Sequence, residues 1–430
     1  MQHFAIQTIN RLFLEVFITT LRKYQYTHKD FLQRGINSFA YDQYDLPIFA
    51  YRYPASTAFG ILFHLFFLGR KLKLKLLKQI FSDDYIQELF RINILEKTDS
   101  VSVRSTIFLI PFKTYYFACD FILQLIDRSN NRKRSKYESV YPIGLDSITL
   151  SEVSIKKQFN SVLDLGCGSG ILSIIASGHS RYVTGIDLNP RAINFSQFNA
   201  LLNNVDNCHF ICGDLYIPIK NEKYDFILSN PPYEISIHKS NLFQDGGKYG
   251  YKILQKIIEG VSAHLKKGGF CQIITKIPEF TDKTKAQLFK EWVHNDNLHV
   301  FYLELYRRSI YQLAYEICSD SFFGTTKKKS CRNYSHRVNK LLHFLDKINL
   351  KSMSSGLITI THDSCFKYVE HIFDGKNIQT NELTSKLQEV VYKHFIYFLG
   401  FYGLIYLFRS SLINIIKGVF PFSYNFLKKF

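Results

Sequence analysis

Asp164, Asp187, Asp214 and Asn230 are spaced as groups that could hold a ribose-bearing ligand and act beside it. Asp164 opens Asp164-Leu165-Gly166-Cys167-Gly168-Ser169-Gly170. Glycines there let the backbone turn sharply and approach a ligand with no Cβ in the way. Asp187 follows Gly166 by 21 residues, the separation at which a doubly wound fold offers a carboxylate to ribose hydroxyls. Asp214 closes a third apolar run. Asn230 opens Asn230-Pro231-Pro232-Tyr233, a carboxamide and an aromatic ring joined by prolines that fix φ and lack N–H donors. Alone, a glycine turn is weak evidence and an Asn-Pro-Pro turn is a common strand terminator. Their order and spacing carry the weight.

The elements that must position these groups can be read from apolar runs and breakers. Val162 to Leu165, a tight glycine loop and Ile171 to Ala176 read as strand, turn and helix. Arg181 to Asp187 is a second strand, and Asn189-Pro190 caps and starts a helix over Ala192 to Asn203. His209 to Cys212 and Tyr224 to Leu228 are the third and fourth strands. The four acceptor groups thus fall at or just past the carboxyl ends of four strands, the edge at which open parallel sheets bind ligands. Tyr251 to Leu265 reads as a helix stopped by Lys266-Lys267-Gly268-Gly269. Phe270 to Thr275, His299 to Leu305 and an antiparallel Gly356 to Thr361 complete seven strands.

This series resembles the class I S-adenosylmethionine (SAM)-dependent methyltransferases, in the branch carrying Asn-Pro-Pro-Tyr. That branch includes the protein-glutamine methyltransferases of peptide release factors, related small-domain methyltransferases, adenine-N6 DNA methylases and guanine-N2 or adenine-N6 RNA methylases. The likeness covers roughly Tyr141 to Thr275 and implies an α/β, Rossmann-like seven-stranded sheet. It also implies that Asp164, Gly166, Cys167, Gly168 and Gly170 surround the methionine part of SAM. Asp187 would bind the ribose and Asp214 the adenine amino group. Cys167 is then a loop residue and no nucleophile. Asn230, Pro231, Pro232 and Tyr233 would carry the chemistry.

The physical logic of that motif can be stated independently. An amide or exocyclic base nitrogen is planar because its lone pair is delocalised, so it is a poor nucleophile. Accepting its hydrogens at the Asn230 and Pro231 carbonyls favours a more tetrahedral nitrogen, while Tyr233 stacks on the flat group and holds it in line. No metal and no strong base is called for. Val140 to Ser147 precedes the first strand; the resemblance lays such a segment over the cofactor pocket, so Asp146 and Ser147 either border SAM or substrate or simply cap a helix. Asn241 to Gly250 resembles the Gly-Gly-x-x-Gly stretch of release-factor enzymes and reads as a flexible lip.

The 430-residue chain has room for more than one domain. We expect residues 1–130 to form a helical, winged-helix-like unit, 138–375 the methyltransferase domain with a helical insertion about 306–355, and 376–430 an apolar extension. Helices are expected over Ile9 to Leu21, Thr57 to Leu68 and Leu76 to Leu89, with strand-like runs at Val101 to Val103 and Ser105 to Pro111. Such a unit can read nucleic acid or simply pack. A basic linker spans Asp127 to Tyr137. The net charge of +18 fits a polyanionic partner such as RNA or a lysine-rich background equally well. The cluster Lys327-Lys328-Lys329 with Arg332, Arg337 and Lys340 is either a phosphate-contacting face or a solvated loop. Eight cysteines show no Cys-x-x-Cys pair, so Cys208 and Cys212 read as buried thiols in a reducing, cytoplasmic compartment. A secretory leader is not expected. The apolar run within 394–416 is shorter than a membrane span and could still make peripheral membrane contact or pack. The favoured acceptor is a protein glutamine amide; the alternatives are an RNA or DNA base (adenine N6 or guanine N2) and a non-catalytic SAM-binding scaffold.

Overall fold

The computed structural model describes residues 9–37, 45–121, 139–141, 143–235, 245–293, 297–323 and 331–372, without the side chains of 319–323 and 331–333. The expected basic linker, the Lys327-Lys328-Lys329 run and the 376–430 extension lie outside the described residues. Among the described residues no helix is long and apolar enough to cross a membrane.

The chain opens with α1 (Arg11–Lys23), α2 (His28–Gln33), α3 (Asp45–Arg52) and α4 (Ala58–Leu62), the last continuing as a π-helix over Phe63–Phe67. Asn10, Thr27 and Thr57 cap three of these starts by accepting a backbone N–H two or three residues on. Phe59, Phe63 and Phe67 stack in a column with ring centroids 5.5 and 4.9 Å apart. Then come β1 (Leu72–Lys73), α5 (Leu74–Leu77), α6 (Asp83–Arg91), β2 (Leu95–Lys97) and β3 (Ser102–Ser105). The strands pair antiparallel in the order β1-β3-β2, with α5 and α6 between β1 and β2, which is winged-helix connectivity. The single helix expected over Leu76 to Leu89 is two, because the Ser82 hydroxyl accepts the Tyr85 N–H and starts a new one.

The α6 helix of this unit is acidic. It opens with Asp83-Asp84, and Glu88 pairs with Arg91 on the same helix. Tyr85 stacks on Phe13 at 4.2 Å and donates its hydroxyl proton to the Phe13 carbonyl, so α1 covers part of this helix. A reader of nucleic acid needs cations there.

A hairpin of β4 (Phe108–Phe112) and β5 (Tyr115–Cys119) follows; its second strand was not expected. Then α7 (Leu145–Val153), β6 (Phe159–Leu165), α8 (Ile171–Ser177), β7 (Ser180–Asp187), α9 (Pro190–Leu202), β8 (Cys208–Cys212) and β9 (Tyr224–Ser229) build one half of the main sheet. The other half uses α10 (Lys252–His264), β10 (Leu265–Phe280), α11 (Lys285–Trp292), β11 (Leu298–Ser309), α12 (Ile310–Phe323), α13 (Cys331–Lys347), β12 (Leu350–His362) and β13 (Lys367–Ile372).

The sheet has eight strands, in the order β13-β11-β12-β10-β9-β6-β7-β8. β12 pairs antiparallel with both neighbours, and the other pairings are parallel. The expected antiparallel strand therefore lies between the expected fifth and sixth, and β13 adds an eighth at the edge. Chain order reverses between β6 and β9, the switch point at which a ligand crevice opens in such sheets.

One apolar cluster joins Phe17, Phe66, Phe108 and Phe117 to Phe195, Phe198 and Phe226 of the sheet and its helix. Each such ring contributes roughly 1.5–3 kcal/mol by leaving water. The hairpin is held further by Asn199 and Asn203 of α9. Asn199 accepts the Ala118 N–H at 2.7 Å and donates to the Ala118 carbonyl at 2.9 Å. Asn203 does the same for Tyr116 at 2.8 and 2.7 Å. Two carboxamides one helical turn apart thus match the two-residue repeat of a strand edge.

Candidate active site

The tips of β6, β7 and β9 and the start of α7 surround a cavity of about 340 Å³. On the β6 side, Gly166 and Gly168 line it with φ of +73° and +55°, and nothing lies within 4 Å of where a Cβ would stand on either. The backbone itself is therefore the wall. Asp187 and Asp214 line the same cavity. The Asp187 carboxylate accepts the Gly168 N–H at 2.9 Å and the Asn189 N–H at 2.8 Å, so one side chain fixes the glycine loop and the turn into α9. Burial raises its pKa, opposed by those two bonds. Lys256 stands 3.9 Å from Asp214.

Two residues expected around the ligand, Asp164 and Gly170, have other surroundings. Asp164 is fully buried and does not line the cavity; its Oδ2 accepts the Ser173 N–H and hydroxyl at 3.0 and 2.6 Å, pinning α8 to β6. Burial pushes its carboxyl up to about 7, and its Oδ1 has no hydrogen-bond partner. Gly170 is a packing glycine, since a Cβ there would stand 2.9 Å from that of Ser196. Cys167 lines the cavity, but burial pushes its thiol well up, which suits a wall residue. Cys212, expected to be buried, is exposed at the end of edge strand β8.

At the other end of the cavity stand Asn230, Pro231, Pro232 and Tyr233. Asn230 Nδ2 donates to the Ser147 hydroxyl at 2.9 Å, while Asn230 Oδ1 is buried without a hydrogen-bond partner. Buried acceptors are usually hydrogen-bonded, and this one lies in the lining of the cavity. The Tyr233 hydroxyl donates to Asp146 Oδ2 at 2.7 Å, and burial raises its pKa well above the ordinary phenol value. Its ring lies under Lys276, whose Nζ is 4.7 Å from the centroid and 2.7 Å from Glu234. Asp146 and Ser147 at the start of α7 thus hold the Tyr233 and Asn230 side chains of the motif. Lys276 and Glu234 escaped the sequence reading; a lysine just past the apolar run expected to end at Thr275 was the available signal.

The glycine stretch after the motif is pinned where it is described. Gly246 donates its N–H to the Glu234 carbonyl at 2.9 Å and accepts that of Lys252 at 2.8 Å. Tyr249 and Ile235 pack with α12 and α13, so the helical insertion stands beside this end of the cavity. Among the described residues no group of three or more His, Cys, Asp or Glu side chains is placed to hold a metal.

A family model described as methyltransferase small domain matches residues 147–294. A Methanocaldococcus jannaschii protein, named provisionally as a protein N5-glutamine methyltransferase, is 37% identical over 170 residues, which cover 37% of this chain and 85% of that one. The chain belongs to the SAM-dependent methyltransferases. This methyltransferase is also 33% identical over 156 residues to a release factor glutamine methyltransferase of Aquifex aeolicus, covering 31% of this chain and 56% of the relative. It thus spans about half the length of that relative. To an uncharacterized RNA methyltransferase of Protochlamydia amoebophila it is 35% identical over 96 residues, 21% and 22% of the two chains.

SAM is the methyltransferase's cofactor, and the cavity suits it. The open cradle at Gly166 and Gly168 admits a ligand against the backbone. Asp187 would accept ribose hydroxyls, and Asp214 at the rim would meet the base. The acidic lining favours the sulfonium and ammonium cations of the cofactor.

Proposed function

We propose that this methyltransferase transfers a methyl group to the side-chain amide nitrogen of a protein glutamine. The observation that carries the reading is Asn230: with Nδ2 tied to Ser147, its unpartnered Oδ1 is oriented as an acceptor. The N–H of a planar carboxamide is its natural complement. Bound SAM supplies an electrophilic methyl group. Asn230 Oδ1 takes one hydrogen of the acceptor amide, and the Pro231 carbonyl takes the other. Tyr233 offers its ring as a platform. Its hydroxyl, engaged with Asp146, takes no part in moving protons. No strong base is needed, because an alkylated amide nitrogen bearing positive charge is acidic enough to lose its proton to water.

The lining favours a polypeptide acceptor over a nucleic acid. Asp146, Asp187, Asp214, Glu234 and Asp245 line the cavity with Lys252; Lys256 and Lys276 stand against Asp214 and Glu234, and the carboxylates still in excess disfavour a polyphosphate chain at this mouth. The acidic α6 points the same way. The relatives named for glutamine methylation are consistent with this reading. The net charge of +18 fits an RNA acceptor as readily as a lysine-rich background, so the test must separate the two. Methyl-labelled SAM and the enzyme are added to a cell extract that is then divided between protease and RNase. Label released by protease and recovered as N5-methylglutamine supports the proposal. Label released by RNase would replace it with a base N-methyltransferase, and no incorporation would favour a scaffold.

A further inference from the structure

We propose that Asp120, at the end of the N-terminal hairpin, is a positioning residue for the SAM pocket, tying its two walls together without touching the ligand. Asp120 is 2% exposed and is not part of the cavity lining. Its Oδ2 accepts the backbone N–H of Val140 at 3.0 Å. The same carboxylate receives the fork of Arg191: Nε donates to Oδ2 at 2.9 Å and a terminal nitrogen to Oδ1 at 2.6 Å. The guanidinium lies 5.0 Å from the Phe195 ring centroid. One carboxylate therefore joins three segments distant in sequence.

Two of those segments are walls of the pocket. Val140 and Tyr141 line it on the side of α7, ahead of Asp146 and Ser147. Arg191 sits in the first turn of α9, where its N–H is capped by Asn189 at 2.9 Å. Asn189 in turn donates to Asp187, and Asp187 accepts from Gly168. A continuous path runs from Asp120 through Arg191, Asn189 and Asp187 to the glycine loop. Asn199 supplies a second tie, since its Nδ2 donates to both the Ala118 carbonyl of the hairpin and the Ser169 carbonyl of the loop.

The chemistry of the tie makes it rigid. A bidentate guanidinium–carboxylate pair has a fixed planar geometry. Buried as this one is, with side chains 12% and 2% exposed, it resists any move that would strand one charge. The hairpin thus sets the separation between the 139–141 segment and the Asp187 turn. This assigns the N-terminal part of the chain a role in cofactor affinity. It rests on the reading of the cavity as the SAM site, and the test keeps the two apart.

Asp120→Asn keeps the Val140 bond and the side-chain shape but loses the charge; Arg191→Lys keeps the charge but loses the fork. SAM and S-adenosylhomocysteine are titrated calorimetrically into the full chain, with Asp187→Ala alongside. We expect either variant to raise both Kd values about tenfold, and the double variant to raise them no further than the worse single one. Amide exchange at 139–141 and 166–170 should quicken in the absence of ligand. A merely structural role would lower the melting midpoint and leave the affinity of the folded fraction unchanged. Should Asp120→Asn fail to fold, Arg191→Lys carries the test. Wild-type Kd in the folded variants, with binding weakened in Asp187→Ala, would overturn the role of Asp120 alone. Wild-type Kd in Asp187→Ala would overturn the pocket assignment itself.

Discussion

At the cofactor end of the cavity the wall is backbone, with Gly168 held by a carboxylate and Gly166 by a carbonyl of the next strand. At the proposed acceptor end the wall is side chain. Asn230 is steered by Ser147, 83 positions away, and Tyr233 by Asp146, 87 positions away. Local turns can place backbone, but a carboxamide must be told which of its two ends to present. That instruction comes from another part of the fold. The two ends should therefore fail separately, the first in binding and the second in turnover.

Substitutions at three positions test that separation, and one at a fourth tests the packing beneath the cofactor end. The largest effect is expected for Asn230→Ala, where loss of the oriented acceptor should cost roughly 3–4 kcal/mol of transition-state stabilisation, a fall of about 10²–10³ in single-turnover rate. Calorimetry should find SAM affinity nearly unchanged; parallel loss of both would mean the ends are one unit. Asp187→Ala should do the converse. Hydrogen bonds to a charged group contribute about 1.5–3 kcal/mol, so SAM Kd should rise roughly 10–100-fold, and saturating SAM should restore much of the turnover.

Ser147→Ala sharpens the comparison, because it leaves Asn230 in place and removes only its guide. We expect kcat to fall about fivefold to tenfold at unchanged SAM affinity, the worth of one ordinary hydrogen bond, with Ser147→Thr restoring most of it. An equal loss in the threonine variant would point to packing instead.

The smallest effect concerns stability. The Asp164 carboxyl is raised from 3.8 to about 7 by burial, so the folded state binds its proton more tightly than the unfolded chain. Its contribution is full below about pH 4 and is lost as pH rises to about 7. Asp164→Asn cannot ionise, so the melting midpoint of wild type relative to the variant should decline between pH 5 and pH 8 without cofactor. A difference that stays constant over this range would show that Asp164 is not held neutral by its surroundings.

Much of the cofactor end was legible because strand, glycine turn and helix are encoded within a few residues of one another. The second strand, expected over Arg181 to Asp187, runs Ser180–Asp187, and the helix expected over Ala192 to Asn203 runs Pro190–Leu202. What escaped depends on distant partners. The edge strand β13 exists by pairing with β11, and β5 by pairing with β4 and with two asparagines of α9. The break at Ser82 was readable as a cap, yet the apolar periodicity on either side masked it. No local pattern could announce that Asp120 meets Arg191, or that Lys276 lies over Tyr233. The orientation of Asn230 belongs to the same class.

The most direct measurement is a crystal structure with S-adenosylhomocysteine and a glutamine-containing peptide. The account predicts the glutamine amide nitrogen within hydrogen-bonding distance of Asn230 Oδ1, with Nδ2 still on Ser147 and the amide stacked on Tyr233. A peptide amide bound elsewhere, or Asn230 with its Nδ2 turned toward the acceptor, would contradict it.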